Sequence, residues 1–195
     1  RAAVILLHGR GAGAGDMAPL ARELFFQDCA YFFPQAASNT WYPQRFLAPI
    51  EQNRPWLDSA LSRVNEIIEK ILSESIPGRK IFLGGFSQGA CLAAEYAARN
   101  PRHWGGVLIF SGGLIGPTGH QYPYSGSFEG TPVFIGCSDS DPHIPLSRVH
   151  ETTAKFKQMG ATVTELVIPG LGHTIAPLEI EQARQLMEKS LSSPE

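Results

Sequence analysis

Short apolar runs and helical periods alternate along the whole of this chain, and that alternation restricts its fold more than any other feature. "AAVILLHG", from Ala2 to Gly9, is a short apolar run rich in β-formers and reads as a buried strand. A helical stretch from Asp16 to Phe26 follows, then a short strand at "CAYFFP". The segment from Pro34 to Asn53 has no period and reads as irregular. Leu57, Leu61, Val64, Ile68 and Ile71 then recur at four- and three-residue steps, one apolar stripe of a helix that Pro77-Gly78 stops. "KIFLGGF" predicts the next strand, and Gln88 to Arg99 a helix of small residues ended by Asn100-Pro101. Strands at "GGVLIFS", "PVFIGC" and "TVTELVI", with helices at about 146–159 and 178–191, complete the order. Strands that alternate with helices imply crossover connections, hence a mostly parallel sheet covered by helices on both faces. The expected fold is α/β, one domain over residues 1–195. The only long insertion, Ser111–Gly130, is too short for a large cap domain and reads as a mobile or functional loop.

Composition narrows the function. A net charge of -2 with scattered basic residues offers no footprint for nucleic acid. No apolar run approaches the roughly 18 residues that a membrane span needs. Cys29, Cys91 and Cys137 cannot all pair with one another, and their small or apolar neighbours suit buried free thiols. That pattern points to a reducing, cytoplasmic setting.

The stretch "KIFLGGFSQGA" carries the chemistry. Ser87 stands between Gly85 and Gly89, where a predicted strand turns into a predicted helix. Such a tight turn forces its apex residue into a strained conformation, and glycines two positions either side remove the Cβ atoms that would collide. The serine hydroxyl then stands clear of the sheet, beside the N–H groups of a helix N-terminus. The bland alternative is a Gly-rich turn into a closely packed helix. Placement between strand and helix favours the nucleophile.

A serine hydroxyl needs a base, and the base needs an acid. In this architecture they follow in the order Ser, Asp or Glu, His, each in a loop after a later strand. "GCSDSDPHIP" supplies Asp139 and Asp141, and "PGLGHTIAP" supplies His173. Both lie at the carboxyl ends of strands, where open α/β sheets place their sites. His173 is the one histidine in the required slot. His8 has a structural setting; His103, His120 and His150 read as surface residues, and His143 lies near enough to the acid to touch substrate. Asp141, fixed by Pro142, is favoured over Asp139, which suits a cap on the same turn. The oxyanion of a tetrahedral intermediate needs preorganised donors. The backbone N–H of Gln88 is one, and that of Arg10, in "HGRGAGAG", is the other. That Gly-rich loop lacks both the Lys-[Ser/Thr] ending of a P-loop and the spacing of a dinucleotide fingerprint.

With these residues placed, the sequence resembles the phospholipase/carboxylesterase family of α/β-hydrolases, which includes the acyl-protein thioesterases. The resemblance rests on "LLHGRGA", "WYP", "IPGRKIFLGGFSQGA", "DPHIP" and "GLGHTI", in that order. It implies an α/β-hydrolase fold with Ser87 as nucleophile, Asp141 as acid and His173 as base. It also implies Arg10 and Gln88 as oxyanion donors, with no metal or cofactor. "HGRGA" stands where the thioesterases commonly have "HGLGD", and Cys137-Ser138 where His-Gly is frequent. The compact bacterial carboxylesterases are the nearer likeness.

The expected activity is therefore a serine carboxylesterase acting on a small-molecule ester of short-to-medium acyl length. Trp41, Tyr42, Phe46, Leu114, Ile144 and Leu171 are the candidate apolar walls, with core packing as the competing role of each. A thioesterase or lysophospholipase with the same residues and a longer groove is the alternative. A hydrolase-fold module that binds without turnover is disfavoured by the intact Ser87, Asp141 and His173. A homodimer is left open.

Overall fold

In a computed structural model that describes residues 1–193, six strands and six α-helices follow the expected order, save that one short helix, Ile50–Asn53, falls in the stretch read as irregular. They are β1 (Ala2–Leu7), α1 (Ala18–Glu23), β2 (Cys29–Phe32), α2 (Ile50–Asn53), α3 (Trp56–Ser73) and β3 (Ile81–Phe86). Next come α4 (Gln88–Arg99), β4 (Gly106–Phe110), β5 (Pro132–Ser138), α5 (Leu146–Gln158), β6 (Thr162–Ile168) and α6 (Pro177–Ser192). The six strands form one sheet in the order β2-β1-β3-β4-β5-β6, and every neighbouring pair is parallel.

The period of two along β1 divides the core. Ala3, Ile5 and Leu7 face one way, into a cluster that holds Val64 and Ile68 of α3, Leu92 of α4 and Phe156 of α5. Ala2, Val4 and Leu6 face the other way, against Leu20 and Leu24 near α1 and Ala183 and Met187 of α6. Both faces are therefore apolar, and the central strands have no polar side to show to water. The chain leaves β1 for β2 in one direction and for β3 in the other, so the order reverses between β1 and β3. That reversal opens a crevice at the carboxyl ends of those two strands.

Two further expectations are corrected. The helix expected from Asp16 to Phe26 is a 3-10 turn, Ala14–Met17, followed by the short α1. The Tyr31 hydroxyl accepts from Phe26 N and donates to Leu24 O, giving those backbone groups partners outside a helix. The Ser111–Gly130 loop is not free throughout: residues 111–116 are buried, while much of 117–130 is exposed. Arg148, 2% exposed, donates to Leu114 O and Gly116 O at 2.8 Å each and to Pro117 O at 3.2 Å. The buried Glu95 accepts from Ile115 N and from the Tyr124 hydroxyl. Among the described residues no helix is long and apolar enough to cross a membrane.

Candidate active site

Ser87 sits between β3 and α4 with φ 55° and ψ -118°. A non-glycine residue there costs about 1–3 kcal/mol and persists only where its surroundings enforce it. Leu7 and Gly89 enforce it. A Cβ on Gly85 would stand 2.5 Å from Leu7 O, and one on Gly89 would overlap the Leu7 carbonyl outright. The two glycines let the elbow press against the end of β1, which carries the Ser87 hydroxyl to the crevice between β1 and β3.

The structure brings Ser87, His173 and Asp141 together from three different loops. Ser87 Oγ lies 2.8 Å from His173 Nε2, and His173 Nδ1 lies 2.7 Å from Asp141 Oδ2. The Asp141 side chain is fully buried. Its other oxygen, Oδ1, accepts from His143 N at 2.8 Å and Ile144 N at 3.0 Å, so the carboxylate is fixed in orientation. An Asp139 cap on that turn was the expectation, but Asp141 itself supplies it. Asp139 Oδ1 instead accepts from Gly170 N at 2.8 Å, and Ser138 Oγ from Gly172 N at 3.1 Å, both in the loop that carries His173. The His173 ring is packed between Phe86, at 4.9 Å between centroids, and His143, at 4.7 Å.

The first loop reaches the same place. Among the described residues the main-chain N–H groups of Arg10 and Gln88 have no protein partner. Their side chains are occupied. The Arg10 guanidinium donates to Tyr42 O, Pro43 O and Gln44 O at 3.0, 2.9 and 2.6 Å. Gln88 Oε1 accepts from Trp41 N at 2.9 Å while its Nε2 donates to Tyr42 O at 2.8 Å. His8 is structural: Nδ1–H donates to Gly9 O, Nε2 accepts from Ala36 N, and the Trp41 ring lies tilted against it at 4.9 Å between centroids.

Beside Ser87 opens a cavity of about 260 Å³. Three of the six expected wall residues line it: Tyr42, Phe46 and Ile144. Three do not. Trp41 is turned into the core, its indole N–H on His8 O at 2.9 Å. Leu114 is fully buried within the Ser111–Gly130 loop, its backbone N–H donating to Thr152 Oγ1. Leu171 is half-buried in the His173 loop, away from the cavity. Reading the sequence missed Arg45 and Cys91, which also line it, as does His143. The Cys91 thiol is pushed up to about 12, chiefly by burial, and is therefore neutral at ordinary pH.

Glu179 was missed as well, although its signal was present: a proline opens α6 and a glutamate follows at its third position. Its buried carboxyl accepts from Ala176 N at 2.6 Å and so anchors the chain just beyond His173. Burial raises this carboxyl above the usual range, and the nearby Asp141 adds to the rise.

Known proteins resemble this chain along nearly its whole length. The chain matches the phospholipase/carboxylesterase family over residues 1–191. It is 28% identical to the acyl-protein thioesterase 1 of Saccharomyces cerevisiae, across 99% of this chain and 94% of that one. Against the lysophospholipase-like protein 1 of Mus musculus it is 26% identical, covering 94% of this chain and 84% of the relative. A crystal structure of a phospholipase/carboxylesterase from Dyadobacter fermentans superposes with a TM-score of 0.92 at 45% identity, covering 96% of this chain and 90% of that one. The chain belongs to the phospholipase/carboxylesterase family of hydrolases.

Proposed function

We propose that this protein is a serine carboxylesterase that hydrolyses short-to-medium acyl esters through an acyl-enzyme. The observation that carries the reading is the hydrogen-bond chain from buried Asp141 through His173 to Ser87, ending on a strained elbow beside a cavity. Ser87 Oγ attacks the ester carbonyl while His173 Nε2 takes its proton. Asp141 holds Nδ1–H and so keeps Nε2 free as the acceptor. The negative oxygen of the tetrahedral intermediate is received by the N–H groups of Gln88 and Arg10, at no cost in reorganisation. His173 returns the proton to the departing alkoxide, and water, activated by His173 in turn, releases the acid and restores Ser87. Cys91 is no rival nucleophile, because a thiol held at about 12 offers almost no thiolate at neutral pH.

A cavity of about 260 Å³ favours a compact acyl group. It falls below the roughly 300–1,000 Å³ typical of sites for drug-sized ligands. The name of the yeast relative supports a second reading, a thioesterase using the same residues. Residues 1–195 act, on this reading, as one catalytic domain whose partner is a small-molecule ester. The free thiols Cys29, Cys91 and Cys137 support a cytoplasmic setting.

A fluorophosphonate probe tests the core of the proposal. It should label the unmutated protein covalently, and Ser87→Ala should lose both labelling and ester turnover. Labelling that survives in Ser87→Ala would place the nucleophile elsewhere.

A further inference from the structure

The cavity beside Ser87 carries an unspent positive charge. Its lining includes Arg10, Arg45 and His143 but no aspartate or glutamate, and the nearby Asp141 carboxylate is buried behind His173. The Arg10 guanidinium is occupied by three carbonyls. Arg45 differs. It is exposed, has no carboxylate within ion-pair distance among the described residues, and meets His143 O no closer than 3.5 Å.

The backbone beneath Arg45 is not that of a free surface loop. Asn53, fully buried, accepts from Gln44 N at 2.7 Å and donates to Arg45 O at 3.2 Å. Arg10 grips the carbonyls of residues 42–44, and Gly116 N donates to Phe46 O at 2.8 Å. A planar guanidinium is thus presented at the cavity on an anchored segment, with donors matched to carboxylate or phosphate oxygens.

We infer that Arg45 is a specificity-determining residue, and that the preferred substrate is a compact ester carrying an anionic oxygen group, carboxylate or phosphate. The inference rests on the esterase reading above. The apolar surfaces of Tyr42, Phe46 and Ile144 receive the carbon skeleton, and Arg45 receives the anion at its end.

The test compares paired substrates. The mono-p-nitrophenyl ester of glutarate is set against its neutral isostere, in which an isopropyl group replaces the carboxylate. Acetoxyethyl phosphate is set against the methyl ether of acetoxyethanol. At least one anionic member should exceed its neutral partner about tenfold in kcat/KM, mainly through KM, the worth of one charge-assisted hydrogen bond. A gain on the glutarate pair puts the anion on the acyl arm; a gain on the phosphate pair puts it on the leaving alcohol. Arg45→Gln should bring the ratio close to one, Arg45→Lys should restore part of it, and added salt should shrink it in the unmutated protein. Equal turnover within both pairs, or a ratio that Arg45→Gln leaves unchanged, overturns the inference while leaving the esterase reading intact. No turnover of any of these esters, together with no fluorophosphonate labelling, overturns both.

Discussion

The Asp139 carboxylate accepts the Gly170 N–H across 2.8 Å, so the turn after β5 is tied directly to the loop that carries His173. Two residues further on, Asp141 meets the imidazole itself at 2.7 Å. The two aspartates therefore hold one histidine by different means, one through its loop and one through its ring.

That division predicts very unequal responses to the same change. Asp141→Asn should lower kcat by about 10⁴, as in the serine-protease triad, because an amide at this position favours the wrong imidazole tautomer. Asp139→Asn keeps an oxygen that can still accept from Gly170 and should stay within a few-fold of the unmutated rate. Steady-state kinetics on one short-chain ester decides it, and equal losses would show that Asp141 has no special relation to the ring.

Arg10 separates a main-chain role from a side-chain role. Arg10→Ala keeps the backbone N–H but frees the carbonyls of residues 42–44, which support the cavity wall. The expected outcome is a raised KM, a stability loss of about 1 kcal/mol, and a kcat within a few-fold. Loss of a true oxyanion donor lowers kcat by about 10²–10³. A fall of that size with KM unchanged would move the donor role to the guanidinium.

Acyl length follows from the cavity. Each CH₂ that it covers contributes about 0.8 kcal/mol, roughly fourfold in kcat/KM. Rates on p-nitrophenyl esters should climb over the first several carbons and then level off, measured from acetate to palmitate below the critical micelle concentrations. A continued rise to palmitate, with efficient palmitoyl-thioester cleavage, would favour the thioesterase reading.

Alkaline stability reports on Cys91. Its thiol is raised from 9.0 to about 12, chiefly by burial, so the unfolded chain gives up this proton first as pH rises. The stability it contributes is fully present below pH 9 and is lost on the way to about pH 12, at up to about 1.4 kcal/mol per pH unit. Urea unfolding at a series of pH values should show Cys91→Ala to be less stable at neutral pH and less steep in this window. An identical slope in the variant would mean that Cys91 does not titrate there.

What could be read in advance was local. The run "KIFLGGF" and the small residues after it meet at Ser87, so strand, elbow and helix announced themselves within a dozen residues. That Asp141 and His173 meet was legible because each follows a strand-like run. The segment from Pro34 to Asn53 was not, because it has no period. Its course is set by Arg10, Asn53 and Gln88, and Gln88 reaches Trp41 across 47 residues of sequence. Hence Trp41 could not be told from Tyr42, although one packs inward and the other lines the cavity. Leu114 misled for a similar reason: Arg148, 34 residues later, draws its loop down.

The anchors on residues 42–46 all take hold of main-chain atoms: the carbonyls of Tyr42, Pro43, Gln44, Arg45 and Phe46, and the N–H of Gln44. None depends on the identity of the side chain at 45, whereas the Phe46 ring is itself buried in the core beneath the Arg148 guanidinium. Mutation can therefore exchange the exposed side chain at 45 on a fixed rail, and a descendant of this protein can change its diet without relearning how to fold.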